Sequence, residues 1–260
     1  MSTTPDHDWD PGAYERFRGL RLRPALDLLA QVPTLPQGDL VDLGCGSGVV
    51  GPPLRHRFGD RRLLGVDSSP SMLNVARSTG AYDAVHHSDV ASWHPETPPA
   101  LIFSNALLHW LPDHAALIVG LVEKLTASGT LAFQVPDQQD ALSHRLLGKA
   151  ARALVPEHGD HMLRNVLTLA AYHRLMAPLG TVELWQTDYL QTLPPAAHGH
   201  PVRLFTQSTA MRPHLAALPQ ALHKPFIERY DAALAAVYPP EPDGSVLYPF
   251  RRLFAVFTKD

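Results

Sequence analysis

The chain has 260 residues, of which 45% are hydrophobic and 18% are charged, and its formal net charge is −3 with neutral histidines. This composition supports a buried core, excludes wholesale disorder and gives no general attraction to nucleic acid. No apolar run approaches the roughly 18 residues of a membrane-spanning helix, and the first residues lack the basic and apolar regions of a signal peptide. The single cysteine, Cys45, excludes an internal disulfide and favours a cytoplasmic location.

The first 36 residues predict a helical arm (1–36) ahead of the main domain (37–260). Apolar residues recur there at helical spacing, and Pro24 is expected in the first turn of the helix.

Short apolar segments alternate with helical segments through the first half of the main domain. Strands are expected at Asp39–Leu43, Arg62–Asp67, Ala84–His87, Ala100–Ser104 and Thr130–Val135, with a helix at Asp113–Thr126. This alternation predicts an α/β fold with a mostly parallel sheet covered on both faces. In such folds ligands bind at the carboxyl ends of the strands.

The pattern changes beyond residue 136. The segment Asp137–Leu179 is expected to be largely helical, and two late strands are expected at Val182–Tyr189 and Arg252–Thr258. The proline-rich stretch between these strands does not alternate. It predicts a helical cap, residues 190–248, inserted before the last strand of a seven-stranded sheet and covering the site.

A glycine-rich loop follows the first strand. Gly44, Gly46 and Gly48 let the backbone approach a ligand closely, and the next helix offers unpaired N–H groups. Asp67, with Ser68 beside it, ends the second strand, where a carboxylate can accept hydrogen bonds from both ribose hydroxyls.

Two other interpretations of the loop remain open. Gly46–Gly51 also matches the dinucleotide-binding pattern, although that match alone is weak. Asp42 places a carboxylate where a pyrophosphate would lie, and Pro52 and Pro53 crowd the first helical turn. These residues favour a ligand with a cationic amino group over NAD, and a turn that binds nothing is the remaining alternative.

Asp89 follows the third strand and precedes Val90. Its carboxylate could accept a hydrogen bond from an adenine amine, or it could be an ordinary turn residue, which Asp favours.

Together these motifs resemble the class I S-adenosylmethionine-dependent methyltransferases. The resemblance rests on Val41–Gly48, Gly65–Met72, Ser88–Asp89 and Ile102–Leu111. It implies a Rossmann-like fold and S-adenosyl-L-methionine as cofactor, with S-adenosyl-L-homocysteine as product. The cofactor-binding residues it implies are Arg23, Asp42, Gly44, Cys45, Gly46, Gly48, Asp67, Ser68, Asp89, Val90 and Asn105.

A narrower resemblance covers about residues 9 to 258. The segments Trp9–Tyr14, Arg21–Pro24, Trp110–His114, Gln134–Asp137, Met211–His214 and Arg251–Phe254 are similar to the pattern of trans-aconitate 2-methyltransferases. This implies methyl transfer to a carboxylate of trans-aconitate or a related small polycarboxylate, giving a monomethyl ester. It implies substrate binding by Tyr14, Trp110, Arg212 and Arg252 and alignment of the reactants by Asn105 and His109.

Three positions depart from that family pattern. His109 stands where Gln is expected, His214 where an aromatic residue is expected, and Arg251 where Pro is expected. A methyltransferase acting on another small-molecule acid or hydroxyl is therefore an alternative, as is a non-catalytic S-adenosylmethionine-binding protein.

The expected chemistry needs no catalytic base, because a carboxylate is already ionised at neutral pH. A polycarboxylate requires cations, and the late segments also supply Arg203, Arg229 and Arg251. The histidines show no metal-ligand spacing, so we expect no metal. The expected partner is a small polycarboxylate, without nucleic acid or membrane, and the protein is expected to be a monomer or small homo-oligomer.

Overall fold

The computed structural model describes residues 18–159 and 165–260. The helices are α1 (Arg18–Gln31), α2 (Gly51–Phe58), α3 (Pro70–Ser78), α4 (His114–Lys124), α5 (Leu142–Arg152), α6 (Leu169–Met176), α7 (Pro201–Gln207), α8 (Arg212–Ala217) and α9 (His223–Val237). The strands are β1 (Leu40–Leu43), β2 (Leu63–Asp67), β3 (Ala84–His87), β4 (Leu101–Asn105), β5 (Thr130–Pro136), β6 (Gly180–Leu193) and β7 (Val246–Lys259). Short 3₁₀ turns lie at Leu108–Trp110, Ala177–Leu179 and Gln220–Leu222.

Within the described residues the strands form one seven-stranded sheet in the order β3-β2-β1-β4-β5-β7-β6. The strand β1 pairs in parallel with both β2 and β4, and the pairs β2–β3 and β4–β5 are parallel as well. The chain order reverses between β1 and β4, which makes this the topological switch point where α/β sheets bind ligands. The predicted α/β fold is confirmed.

The core lies around the central strands because parallel strands are covered on both faces. Every residue of β1 is buried. Val41 and Leu43 pack in one cluster with Ile102 of β4 and Phe133 of β5. Ile118 and Leu121 add the apolar side of α4 to the same cluster, so the strand ends around the glycine loop rest on a fixed base.

The expected position of Pro24 is wrong, because α1 begins at Arg18 and Pro24 lies inside it. A proline in a helix interior removes one backbone hydrogen bond. Burial compensates here, since the side chains of Ala25 and Leu28 are fully buried. The guanidinium of Arg57 in α2 also donates to the carbonyl oxygens near the end of α1, which fixes that end.

The late strands are longer than the sequence predicts. At the start of β7, Val246 and Tyr248 are buried while Leu247 is exposed, so the alternation of a half-buried strand begins well before Arg252. The helices α7, α8 and α9 lie between β6 and β7. The helical insertion predicted before the last strand is therefore present.

The chain divides into two compact units. The first contains residues up to Val135, Asn165–Gln186 and Leu253–Asp260, and the second contains Pro136–Arg164 and Thr187–Arg252. The second unit thus includes α5 as well as the helices of the insertion. Across the described ranges, the structure contains no helix with the length and apolar character needed to span a bilayer.

Candidate active site

The glycine loop leaves β1 in a conformation that only glycine adopts easily. Gly44 has φ 76° and donates its N–H to the Val66 carbonyl at 2.7 Å. A Cβ placed at Gly44 would lie 2.6–2.9 Å from the side chain of Leu107. A larger residue would therefore push apart the ends of β1 and β4, between which the sheet order reverses.

Gly46 has the same left-handed backbone but a different environment. Its φ is 52°, and a Cβ placed there would have no atom within 4 Å. The side of the loop that faces away from the sheet is open at this residue. A ligand can approach the backbone at Gly46 without displacing any protein atom.

The Asp67 carboxylate joins the loop to the next helix. Its Oδ2 accepts the Gly46 N–H at 2.9 Å and its Oδ1 accepts the Ser69 N–H at 2.9 Å. Each carboxylate oxygen can accept a second hydrogen bond, so both can still receive ribose hydroxyls. Ser68 lies exposed beside it, and the Ser69 hydroxyl caps α3 by accepting the Met72 N–H.

Asp42 is a buried carboxylate under the loop, with only 1% of its surface exposed. The Tyr82 hydroxyl donates to its Oδ2 at 2.6 Å, and among the described residues Oδ1 has no hydrogen-bond partner. Burial raises the pKa of Asp42 to about 7; the Asp67 carboxylate adds to the increase and the Tyr82 hydrogen bond opposes it. An orphaned buried carboxylate oxygen suits a cationic partner.

Cys45 contributes its small size and not its reactivity. The thiol is buried against Leu73 and Ala76, and burial raises its pKa far above the usual value. A thiol held protonated in this way is a poor nucleophile.

Asp89 acts as a turn residue, which is one of the two roles expected from the sequence. It is exposed after β3, and its Oδ1 accepts the Ala91 N–H at 2.9 Å. The neighbouring Val90 is buried in the main core cluster together with Trp93. A contact between Asp89 and adenine stays a prediction.

The end of β4 brings the two proposed aligning residues onto one segment. Asn105 accepts a hydrogen bond from the Gln134 side chain, and the following residue, Ala106, has φ 56°. The chain then forms the 3₁₀ turn in which the rings of His109 and Trp110 lie 4.7 Å apart, centroid to centroid. This segment begins next to the glycine loop in the first unit, since the end of β4 neighbours the end of β1 and Leu107 lies against Gly44.

The two favoured substrate arginines lie in the second unit. Arg252 is 3% exposed, and its guanidinium carbon lies 4.8 Å from the centroid of the Phe250 ring. Arg212 is half-buried and is the first residue of α8. A buried guanidinium on an aromatic face is oriented and weakly hydrated, which favours pairing with a carboxylate.

The other candidate arginines have different surroundings. Arg203 pairs with Asp231 at 2.8 Å and Arg251 pairs with Asp188 at 2.8 Å. Both charges are thus matched by aspartates of the second unit. Arg229 is exposed on α9.

Two predicted contacts concern the N-terminal arm. Arg23 is exposed on α1, 4.0 Å from Asp27, and its contact with the cofactor stays a prediction. Tyr14 lies outside the described residues.

Several histidines, which had no role predicted from the sequence, are buried or half-buried. His158 and His214 share a hydrogen bond of 3.0 Å, and the Ser143 hydroxyl lies 3.1 Å from Nδ1 of His144. In the first unit His114 bonds to the Tyr172 hydroxyl. Within residues 18–159 and 165–260, no group of three or more His, Cys, Asp or Glu residues is arranged to hold a metal ion.

Sequence reasoning missed Tyr82, which holds the Asp42 carboxylate from 40 residues along the chain. No local pattern marks such a pairing. The nearest signal was Asp42 itself, because a carboxylate buried in a strand requires a hydrogen-bond donor.

A glycine loop at the switch point of an α/β sheet, with carboxylates on β1 and at the end of β2, is an arrangement typical of nucleoside-binding sites. The family model described as "Methyltransferase domain" matches residues 14–181, and the chain belongs to this family. The chain is 41% identical over 256 residues to the trans-aconitate 2-methyltransferase of Methylobacterium nodulans, covering 96% of this chain and 97% of that protein. It is 39% identical to the protein of the same name from Azoarcus sp. strain BH72, covering 95% of this chain and 98% of that protein.

Two solved structures have a similar fold. The YcgJ protein of Bacillus subtilis has a TM-score of 0.55 at 14% identity, with 91% of this chain and 98% of that chain covered. The putative methyltransferase in a complex with the Haloferax volcanii Trm112 activator has a TM-score of 0.54 at 17% identity, with 95% and 93% covered. At this identity the likeness concerns the fold alone.

Proposed function

We propose that this protein transfers a methyl group from S-adenosyl-L-methionine to a carboxylate of trans-aconitate or a closely related small polycarboxylate. The products are a monomethyl ester and S-adenosyl-L-homocysteine. The observation that carries the proposal is the identity of 35–41% over nearly the full length with proteins named trans-aconitate 2-methyltransferase.

The residues around the glycine loop suit this cofactor. Gly46 presents open backbone, Asp67 has free lone pairs for a ribose, and Asp42 has an orphaned buried oxygen for an amino group. When bound, S-adenosylmethionine supplies a methyl group already activated on a sulfonium. The positively charged amino group of the ligand would be attracted by the carboxylates of Asp42 and Asp67.

The role of the protein is to align the reactants and not to activate them. A substrate carboxylate is ionised at neutral pH and is itself the nucleophile. Holding this carboxylate in line with the methyl carbon can lower the activation barrier by roughly 7–11 kcal/mol. Asn105 is suited to this because the Gln134 side chain fixes its amide, and His109 lies four residues further on.

The buried guanidinium of Arg252 is the strongest candidate to hold a second carboxylate of the substrate. A guanidinium binds a carboxylate through two parallel hydrogen bonds, and such bonds strengthen away from water. Arg212, Trp110 and Tyr14 complete the proposed substrate contacts. Arg203 and Arg251 are assigned no substrate contact, because each is already paired with an aspartate.

A different acid is the second candidate substrate. His214 is fully buried and bonded to His158, and Arg251 is paired with Asp188. These contacts lie at two of the positions that depart from the family pattern. The departures favour testing a panel of acids rather than one.

The decisive experiment incubates the purified protein with methyl-labelled S-adenosylmethionine and each of a panel of di- and tricarboxylates, including trans-aconitate, cis-aconitate and citrate. We expect label in a base-labile ester, with trans-aconitate or a close relative giving the highest rate. Label in an amine, or no transfer to any acid by protein that binds the cofactor, would contradict the proposal.

Two arginine variants then test the substrate contact. We expect Arg252→Met, which keeps much of the apolar volume over Phe250, to raise KM for the acid about tenfold or more. Affinity for S-adenosylhomocysteine should change little. Arg229→Met is the matched control, because Arg229 is exposed on α9. An unchanged KM in a folded Arg252 variant would remove Arg252 from the site.

A further inference from the structure

The hydrogen bond between Tyr82 and Asp42 has an unusual setting. Asp42 lies on β1 opposite Gly65 of β2 and opposite the apolar Phe103 of β4. The Tyr82 hydroxyl is the side-chain donor to this buried carboxylate, at 2.6 Å. The other oxygen, Oδ1, has no partner in the described residues.

Three glycines make room for the Tyr82 ring. A Cβ placed at Gly48, Gly51 or Gly65 would lie 3.0, 2.7 or 3.1 Å from a ring atom of Tyr82. The ring thus occupies the space that side chains would take at the glycine loop, at the start of α2 and on β2. Because these glycines have no side chains, the ring has room to lie there, and its hydroxyl reaches Asp42 at 2.6 Å.

The charges around Asp42 make its ionisation costly. Asp67 on β2 repels a second negative charge, and the nearby Cys45 thiol is neutral. Arg77 interacts electrostatically with Cys45, and no ion pair to Asp42 occurs among the described residues. A cationic ligand at Oδ1 would therefore stabilise the ionised carboxylate, and Tyr82 would stabilise the same form from the other side.

We propose that Tyr82 is a positioning residue for the cofactor: its hydroxyl holds Oδ2 of Asp42, so that Oδ1 accepts from the cationic amino group of the methionine moiety. This inference rests on the cofactor assignment made under Proposed function. Binding of the amino group is then coupled to ionisation of Asp42, and a proton is released from the fraction of protein in which Asp42 is protonated.

The pH dependence follows from the direction of the shift. Asp42 has a pKa raised to about 7, so its ionised form is lost as the pH falls through that value. Cofactor affinity should fall with it. Removing the hydroxyl in Tyr82→Phe removes an opposing hydrogen bond, raises the pKa of Asp42 further and moves the loss of affinity to higher pH.

The test is calorimetric binding of S-adenosylhomocysteine between pH 6 and pH 9, in buffers of different ionisation enthalpy. We expect Tyr82→Phe to shift the midpoint of the pH dependence upward by about one unit, and therefore to weaken binding about fivefold at pH 7. Methylthioadenosine, which lacks the amino group, should bind wild type and variant with the same pH dependence.

Tyr172→Phe is the matched control, because it removes another buried phenol hydrogen bond in the first unit, the one to His114. It should leave the pH dependence of binding unchanged. Equal pH profiles for wild type and Tyr82→Phe would overturn the inference. Absence of S-adenosylhomocysteine binding by the wild type at every pH would instead overturn the cofactor assignment.

If Tyr82→Phe binds too weakly to measure, the carboxyl titration of Asp42 is followed by carbon NMR in the unliganded protein, with Asp42→Asn for assignment. A higher midpoint in Tyr82→Phe supports the inference. An unchanged midpoint contradicts it.

Discussion

Replacing His144 by Gln should reduce the acid sensitivity of the fold. His144 lies in the first turn of α5, next to Ser143. Burial, together with the nearby His214, lowers the pKa of His144 from 6.5 to about 4. The unfolded chain therefore takes up a proton at this residue before the folded protein does. The contribution of neutral His144 to the unfolding free energy is fully present above pH 6.5, and it is lost as the pH falls toward 4.

The size of the effect follows from the two pKa values. The difference between pKa values of 6.5 and about 4 corresponds to a loss of about 3 kcal/mol of unfolding free energy once the pH is below both pKa values. At pH 5 only part of this difference is expressed, about 2 kcal/mol. Between pH 7 and pH 5, wild type should therefore lose about 2 kcal/mol more unfolding free energy than His144→Gln.

The assay is urea unfolding at pH 5, 6, 7 and 8, followed by circular dichroism and tryptophan fluorescence. His173→Gln is the control, because His173 is exposed on α6 and should behave like wild type. His114 and His200 also have lowered pKa values, so wild type and both variants should all lose some stability in acid. Equal losses in wild type and His144→Gln, or an imidazole NMR titration of His144 near pH 6.5, would refute the reasoning.

The glycine loop and the start of α3 give two further predictions. Gly46→Ala and Gly80→Ala both place a side chain at positive φ in open space, so each should cost about 1 kcal/mol of stability by thermal unfolding. Only Gly46→Ala should weaken S-adenosylhomocysteine binding, and equal binding by both variants would place the ligand elsewhere. Ser69→Ala removes the hydroxyl that accepts the Met72 N–H and should cost about 1 kcal/mol in urea unfolding. Ser78→Ala, at the exposed end of the same helix, should cost less than about 0.5 kcal/mol, and similar losses in both would argue against the cap.

The strands of the first half of the chain were predictable because their signals are local. An apolar run that ends in Gly44 or Asp67 marks both a strand and the ligand-binding edge of the sheet. The position of α1 was not predictable from Pro24, since burial of its apolar face outweighs the hydrogen bond that proline removes.

The part of the candidate site that could be predicted consists of residue types that serve a specific local purpose. The loop glycines, which have positive φ, and the carboxylates at strand ends were identified from the sequence. Pairings between distant segments were not, because no spacing rule joins Tyr82 to Asp42 or His158 to His214. The arginines show the same limit, since only the family resemblance favoured Arg252, and no sequence pattern revealed that Asp231 neutralises Arg203.

The place of β7 between β5 and β6 also constrains how the chain can fold. As the protein is synthesised, β6 emerges first and has no neighbour in the sheet until β7 (Val246–Lys259) has been made. Pairing over so long a chain separation is entropically costly and slow. Until then one edge of β5 and both edges of β6 stay unpaired, and unpaired strand edges favour association with other chains.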